Sequence, residues 1–273
     1  MTDRNRNIQV MGIVNLTDDS YFAQSRCPSV KAALRRIETL LSEGADIIDI
    51  GACSTRPGSE QVGEDVEWSR LEPVLREVAV SFPNAVMSVD TYWSSVVKKT
   101  YDLIGDFIVN DISAGEADPA MLRTVGESGL SYVAMHMRGM PENMQMLTNY
   151  KSVTGDVVSY FKSFSQKAAE NGISRWILDP GFGFAKTLDQ NYTLLSELEQ
   201  MRTITCADGT IPRILIGLSR KSMIYRRFSI TPEESLPATQ VLHYRALQKG
   251  TDILRVHDVA EARRTVELYR ELG

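Results

Sequence analysis

Histidine and cysteine are scarce in this chain, with three of each among 273 residues. Cys27, Cys53 and Cys206 stand far apart and make neither a C-x-x-C pair nor a cluster with histidine, which argues against a zinc site and against a disulfide framework. Long apolar runs are missing too. Nothing approaches the ~20 residues a helix needs to cross a bilayer, and no signal-peptide core follows the opening MTDRNRN. A cytoplasmic protein with no membrane partner is the expectation. Basic charge is not in excess: 30 Lys and Arg are dispersed against 35 Asp and Glu, for a net charge of -5, so no nucleic-acid partner is expected. No G-x-G-x-x-G follows an early strand, which weighs against a doubly wound dinucleotide fold. No Pro/Gly/Ser-rich or low-complexity stretch divides the chain, so residues 1–273 read as a single domain.

What is present is alternation. Short β-rich runs occur at Ile8–Val14, Asp46–Ile50, Ala85–Val89, Phe107–Val109, Tyr132–Met135, Trp176–Leu178, Ile214–Ile216 and Ile253–Val256. Helical periodicity lies between them. Val30, Leu34, Ile37 and Leu41 share one stripe, Trp68, Leu71, Leu75 and Val78 a second, and Val157, Tyr160, Phe161, Phe164 and Ala168 a third. Further helices fit Pro119–Glu127, Asn191–Met201, Leu236–Lys249 and Val259–Leu272. Nearly all-apolar strands, each followed by a helix, imply a parallel sheet covered by helices. Eight such units in this length predict an α/β fold of the (β/α)8 barrel type, with its site at the C-terminal face of the strands.

Every strand exit is polar. The exits read Asn15-Leu-Thr, Gly51 to Gly58 (GACSTRPG), Asp90-Thr, Asn110-Asp111-Ile-Ser, His136-Met-Arg, Asp179-Pro-Gly-Phe, Ser219-Arg-Lys-Ser and His257-Asp258. In a barrel these converge on one face. Asn15, Thr55, Arg56, Lys221, Arg255 and His257 together suit an anion, and Arg255 and His257, two residues apart, share one side of the pleat. A diphosphate fits such a set. Asn15 could add an amide oxygen to a Mg2+ otherwise held by phosphate and water. Asp90, Asn110 and Asp179 are acceptors suited to the N–H edge of a flat heterocycle, although an Asp at a strand exit can also cap the next helix. Ile112 and Met135 read as core residues or as the apolar floor of that ring. Cys53 reads as a small apolar residue rather than a nucleophile, His136 as hydrogen-bonded structure, and His243 as a helix residue at a subunit contact. Asp46, Asp49 and Asp111 carry no assigned role.

The stretches NLTDDSYF, STRPG, SVDT, VNDISAG, HMRGMPENMQ, LDPGFGFAKT, GLSRKSM and RVHDV, in this order, give the chain its resemblance to the dihydropteroate synthases over essentially its full length. The resemblance implies a barrel transferase of folate biosynthesis. It would condense 6-hydroxymethyl-7,8-dihydropterin diphosphate with p-aminobenzoate, releasing pyrophosphate by an SN1-like path. It implies a pterin site of Asp90, Asn110, Asp179 and Lys221, to which Ile112 and Met135 are added as the expected apolar floor, and a diphosphate site of Asn15 with Mg2+, Thr55, Arg56, Arg255 and His257. The p-aminobenzoate site would be Arg56, Pro57, Phe184, Lys221 and Ser222, with Lys221, Arg255, His257 and Asp90 the catalytic group. Sulfonamides as possible inhibitors and a homodimer through outer helices are further implications. The chain departs from the family pattern at Asp18, where proline is usual, and at Ala52-Cys53, where Gly-Glu is common; both departures imply altered closure of the first two loops. Other readings stay open at this stage: a methyltetrahydrofolate-dependent methyltransferase domain, a non-catalytic pterin-binding paralogue, or a barrel acting on another phosphate ester.

Overall fold

The computed structural model describes residues 6–17, 27, 29–53, 62–141 and 143–272. Eight strands follow one another as β1 (Gln9–Asn15), β2 (Ile47–Gly51), β3 (Val86–Asp90), β4 (Ile108–Asp111), β5 (Ser131–Met135), β6 (Trp176–Asp179), β7 (Arg213–Ile216) and β8 (Ile253–Val256). All pair in parallel in chain order, and β1 joins both β2 and β8, so the sheet closes into the expected barrel. The helices among the described residues are α1 (Val30–Ser42), α2 (Glu64–Ser81), α3 (Ser94–Ile104), α4 (Met121–Ser128), α5 (Val153–Glu170), α6 (Leu188–Ser196), α7 (Ser222–Phe228), α8 (Leu236–Gln248) and α9 (Val259–Leu272). The periodic pattern does not announce α3, because its inner face mixes Val96 and Val97 with the buried polar Ser94 and Thr100.

Several boundaries differ from expectation in a way that matters. Asn15, Asp90, Asn110 with Asp111, and Asp179 are the last residues of their strands rather than the first of their loops. Their backbones stay in the parallel ladder while their side chains reach the mouth, which fixes those side chains more firmly than a loop could. On α1 the buried face centres on Ala33, Ile37 and Leu40, with Leu34 and Leu41 only half covered. Helix α6 begins three residues earlier than its apolar pattern, at a capping box in which Thr187 and Gln190 exchange hydrogen bonds, and a 3-10 segment (Leu198–Thr203) completes the predicted stretch.

Strand period sorts the core. One cluster of Met11, Ile47, Ile108, Val133, Ile177, Leu215 and Ile253 fills the barrel interior, separate from the larger cluster between sheet and helices that takes Val10, Ile48, Ile50 and Leu254. Each fully buried aliphatic contributes about 1.5–3 kcal/mol. Two residues further along, on the same inward side, the strands carry Asp49, Asn110, Met135, Asp179 and Arg255. The interior is therefore an apolar plug with a polar layer directly above it.

Candidate active site at the barrel mouth

Asp49 is the hub of the polar layer. It is completely buried, accepts from Ser88 Oγ at 2.6 Å, and takes Asn110 Nδ2 at 3.3 and 3.2 Å on its two oxygens. Arg255 then bridges two carboxylates, with Nε 2.7 Å and Nη2 2.6 Å from Asp49 Oδ2 and Nη2 2.8 Å from Asp90 Oδ2. Burial alone would lower the guanidinium, yet Asp49 and Asp90 more than offset it and hold Arg255 above its ordinary range. Asp90 is pushed up by burial against the pull of Arg255, with the carboxylates of Asp49, Asp111 and Asp179 adding to the rise. A ligand donating to Asp90 would therefore meet an acceptor already shared with a cation.

Lys221 lines the same cavity from the exit of β7. It precedes α7 as its N-terminal flank, its Nζ donates to Phe182 O at 2.5 Å, and the same ammonium lies 4.7 Å from the centre of the Phe184 ring. Burial pushes its pKa down to about 8, against the raising influence of Asp179. Asp179 is itself raised by burial and lowered by Lys221, while one of its oxygens accepts from Gly181 N at 2.8 Å.

Asn15, Asp90, Phe184, Lys221, Ser222, Arg255 and His257 line one cavity of about 440 Å3 at this mouth. Asn110 and Asp179 stand beside the lining: Asn110 is in register with Asp90 and bonds Asp49, and Asp179 feels the charges of Lys221 and Arg255. Ile112 and Met135 belong to a small apolar cluster with Tyr92 and Met144, against which Phe184 packs. The structure thus brings these predicted residues together. Thr55, Arg56 and Pro57, and with them Asp18, lie outside the described residues. Cys53 is half-buried on the cavity wall, and burial raises its thiol, which agrees with a non-nucleophilic role. His257 is buried, and its burial among Arg255, Arg36, Arg220 and Lys221 pushes its pKa down to about 3, so it is a neutral ring at ordinary pH.

The residues also fit a hard cation. Asn15 offers an amide oxygen at the end of β1, and a Cβ on Gly51 would stand 3.8 Å from Asn15 Oδ1 and 3.4 Å from Asp90 Cβ, so the glycine leaves that cradle open. No cluster of three or more His, Cys, Asp or Glu exists among the described residues to cage an ion completely. One or two protein oxygens completed by phosphate and water is how Mg2+ is commonly held.

The two cations that close β7 divide their work. Arg220 is structural: held at φ 55°, it donates bidentately to Asp258 at 2.9 and 2.8 Å and to the carbonyls of Pro232 and Glu233 at 2.9 and 2.8 Å, tying the β7 exit to the β8 exit. His243 is not at a subunit contact. It is completely buried, its Nδ1 3.2 Å from Gln240 Oε1 on its own helix, and Gln240 accepts in turn from Thr265 on α9. The site residue that exit-by-exit reading misses is Asp49, and strand period finds it: it lies two positions after the inward Ile47 and two before Gly51.

Cations suited to an anion and acceptors suited to a flat ring, gathered around one cavity at the C-terminal mouth of a parallel barrel, define an enzyme that binds a phosphorylated heterocycle. Comparison narrows that class. Residues 11–257 match the family described as pterin binding enzyme. The chain is 37% identical to the dihydropteroate synthase of Neisseria meningitidis serogroup C, covering 97% of this chain and 93% of that one. The Yersinia pestis dihydropteroate synthase, solved as a sulfonamide drug complex, superposes with a TM-score of 0.90 at 33% identity, covering 98% of this chain and 94% of that one. The Burkholderia cenocepacia dihydropteroate synthase, solved in complex with 7,8-dihydropteroate, gives 0.86 at 33% identity over 97% and 91%. The chain belongs to the dihydropteroate synthase family of pterin-binding enzymes.

Proposed function

We propose that this chain condenses 6-hydroxymethyl-7,8-dihydropterin diphosphate with p-aminobenzoate to give 7,8-dihydropteroate and pyrophosphate, a transferase step of folate biosynthesis. The observation that carries the reading is the meeting of Asp90, Lys221 and Arg255 around one cavity, with Asn110 and Asp179 beside them. Near-full-length similarity to dihydropteroate synthases supports it over the methyltransferase and non-catalytic alternatives.

The mechanism follows from where charge develops. Asp90, Asn110 and Asp179 would accept from the N–H edge of the pterin, while Ile112 and Met135 supply an apolar face. Arg255, His257 and Asn15 would hold the diphosphate, with Thr55 and Arg56 from the second loop. Magnesium bound through Asn15 would neutralise charge on the leaving group. In a dissociative path the methylene carbon–oxygen bond breaks and its electron pair leaves with pyrophosphate. The nearby carboxylates favour the cation left on the pterin, and Arg255 favours the departing anion. The neutral aryl amine then donates its lone pair to the methylene carbon and loses a proton. It needs placement rather than a strong base, and Phe184, Lys221 and Ser222, with Arg56 and Pro57, would provide it. His257, neutral at ordinary pH, serves as a hydrogen-bonding group.

The same amine site would accept sulfonamides. We place the enzyme in the cytoplasm as a homodimer. No helix among the described residues is long and apolar enough to cross a membrane, and exposed Val241 on α8 and Leu268 on α9 offer apolar surface on the outer helices. The test is to mix the protein with the pterin diphosphate, p-aminobenzoate and Mg2+ and to quantify both products. Equimolar dihydropteroate and pyrophosphate is expected. Pyrophosphate without coupled product, or neither, refutes the activity.

A further inference from the structure

Lys186, next to last in the segment LDPGFGFAKT, takes no part in the chemistry above. It is 3% exposed, yet each of the three hydrogens of its ammonium has an acceptor: His136 Nδ1, Gly181 O and Phe184 O, all at 3.0 Å. His136, at the exit of β5, is a neutral acceptor, because burial and the charges of Lys186 and Arg138 push its pKa down to about 2. The loop that Lys186 ties is strained. Alternate residues Gly181, Gly183 and Ala185 are held at φ 70°, 83° and 50°. A left-handed conformation costs a non-glycine residue of order 1–2 kcal/mol and persists only where surroundings enforce it. A Cβ at Gly181 would stand only 2.0 Å from His136 O, so β5 and β6 exits are packed backbone to backbone beneath the loop. This loop also makes the wall of the amine site, since Phe182 O receives Lys221 and the Phe184 ring faces the same ammonium. The loop is also held by Asn191, whose Oδ1 accepts from Gly183 N at 2.7 Å and whose Nδ2 donates to Lys186 O at 3.3 Å.

We propose that Lys186 is a positioning residue for the aromatic-amine substrate: by cross-linking the β5 and β6 exits it fixes Phe182 and Phe184 so that they hold Lys221 over the second-substrate half of the cavity. The assignment to that substrate rests on the proposed activity, whereas the fixing of the loop does not. The groups facing this ammonium are His136, Asp179 from β6, Lys221 from the flank of α7 and Arg138 beyond β5. Burial lowers Lys186 to about 7, with Asp179 opposing the shift.

Lys186→Met removes the tie, and Asn191→Ala loosens the same loop while leaving the Lys186 ammonium in place. Steady-state kinetics against each substrate and hydrogen exchange at the Gly183 and Phe184 amides are the readouts. Both variants should raise KM for p-aminobenzoate about tenfold or more while KM for the pterin diphosphate moves less than about twofold, because misplacement acts only on the group misplaced. Both should also speed exchange at the two amides. If Lys186→Met does not fold, the Asn191→Ala split decides alone. Equal rises in both KM values, or no rise with the amides exchanging faster, overturns the positioning role. If the wild-type chain makes no product, the proposed activity has failed, and exchange alone then decides whether Lys186 fixes the loop: unchanged protection in the variants rejects it.

Discussion

The two ends of the barrel are built from the same residue types and do different work. At the N-terminal end Asp252, just before β8, accepts from Arg202 Nη2 at 2.7 Å on both oxygens and from Ile214 N at 2.8 Å, with Arg6 3.6 Å away. Asp46, before β2, takes Val10 N at 2.7 Å and pairs with Arg263. These carboxylates are consumed in tying strand starts to helices. At the C-terminal end Asp90 and Arg255 also pair, but on the wall of a cavity, where an incoming ligand can trade places with the partner. An aspartate–arginine pair is thus no mark of a site by itself. Access to a shared hollow makes the difference.

The contrast is broken most severely at the mouth. Lys221→Ala or Arg255→Ala should lower kcat/KM by about 10²–10³, while the midpoint of urea unfolding stays close to wild type for Lys221→Ala; an unfolding midpoint that collapses with activity would make Lys221 structural. The opposite end gives the opposite pattern. Asp252→Ala takes the carboxylate from Arg202 and the acceptor from the Ile214 amide and should cost about 3–5 kcal/mol of stability, with turnover per folded molecule preserved.

Titration sharpens the comparison. His243 is not part of the cavity lining; it is buried on the side of α8 that meets α9, and burial pushes its pKa down to about 4. Because the unfolded chain holds this histidine near about 6.5, its neutral burial contributes stability that is full above that pH and is lost as pH falls toward about 4. His243→Gln should flatten the acid limb of an unfolding-versus-pH curve by about 1.4 kcal/mol per pH unit, with no change in the pH dependence of turnover. The smallest effect belongs to Ser88→Ala, which removes one hydrogen bond to the buried Asp49. It should cost about 2 kcal/mol and leave KM for both substrates within about twofold; a large loss of turnover would show that the orientation of Asp49 controls Arg255.

The architecture was legible because strands buried on both faces read as apolar runs and because helices repeat at their own period. The polar exits told which face carries chemistry, so Asp90, Asn110, Asp179, Lys221, Arg255 and His257 could be named from one sequence. Asp49 was hidden for a physical reason: it lies inside a strand, where an isolated carboxylate reads as an exception rather than as a hub. Lys186 was hidden because its contacts cross from β5 to β6, and no local pattern encodes a partner fifty positions away. The structural role of Arg220 was not legible either, since its partners Asp258, Pro232 and Glu233 lie in later segments of the chain.

The most direct test of the central claim is a crystal structure of the protein with a dihydropterin bound. The account predicts the ring inside the mouth, its N–H edge donating to Asp90 and Asp179 with Asn110 alongside, Lys221 within hydrogen-bond reach, and Arg255 displaced from Asp90. A ring bound elsewhere, or one that leaves the pairing of Asp49, Asp90 and Arg255 untouched, would contradict it.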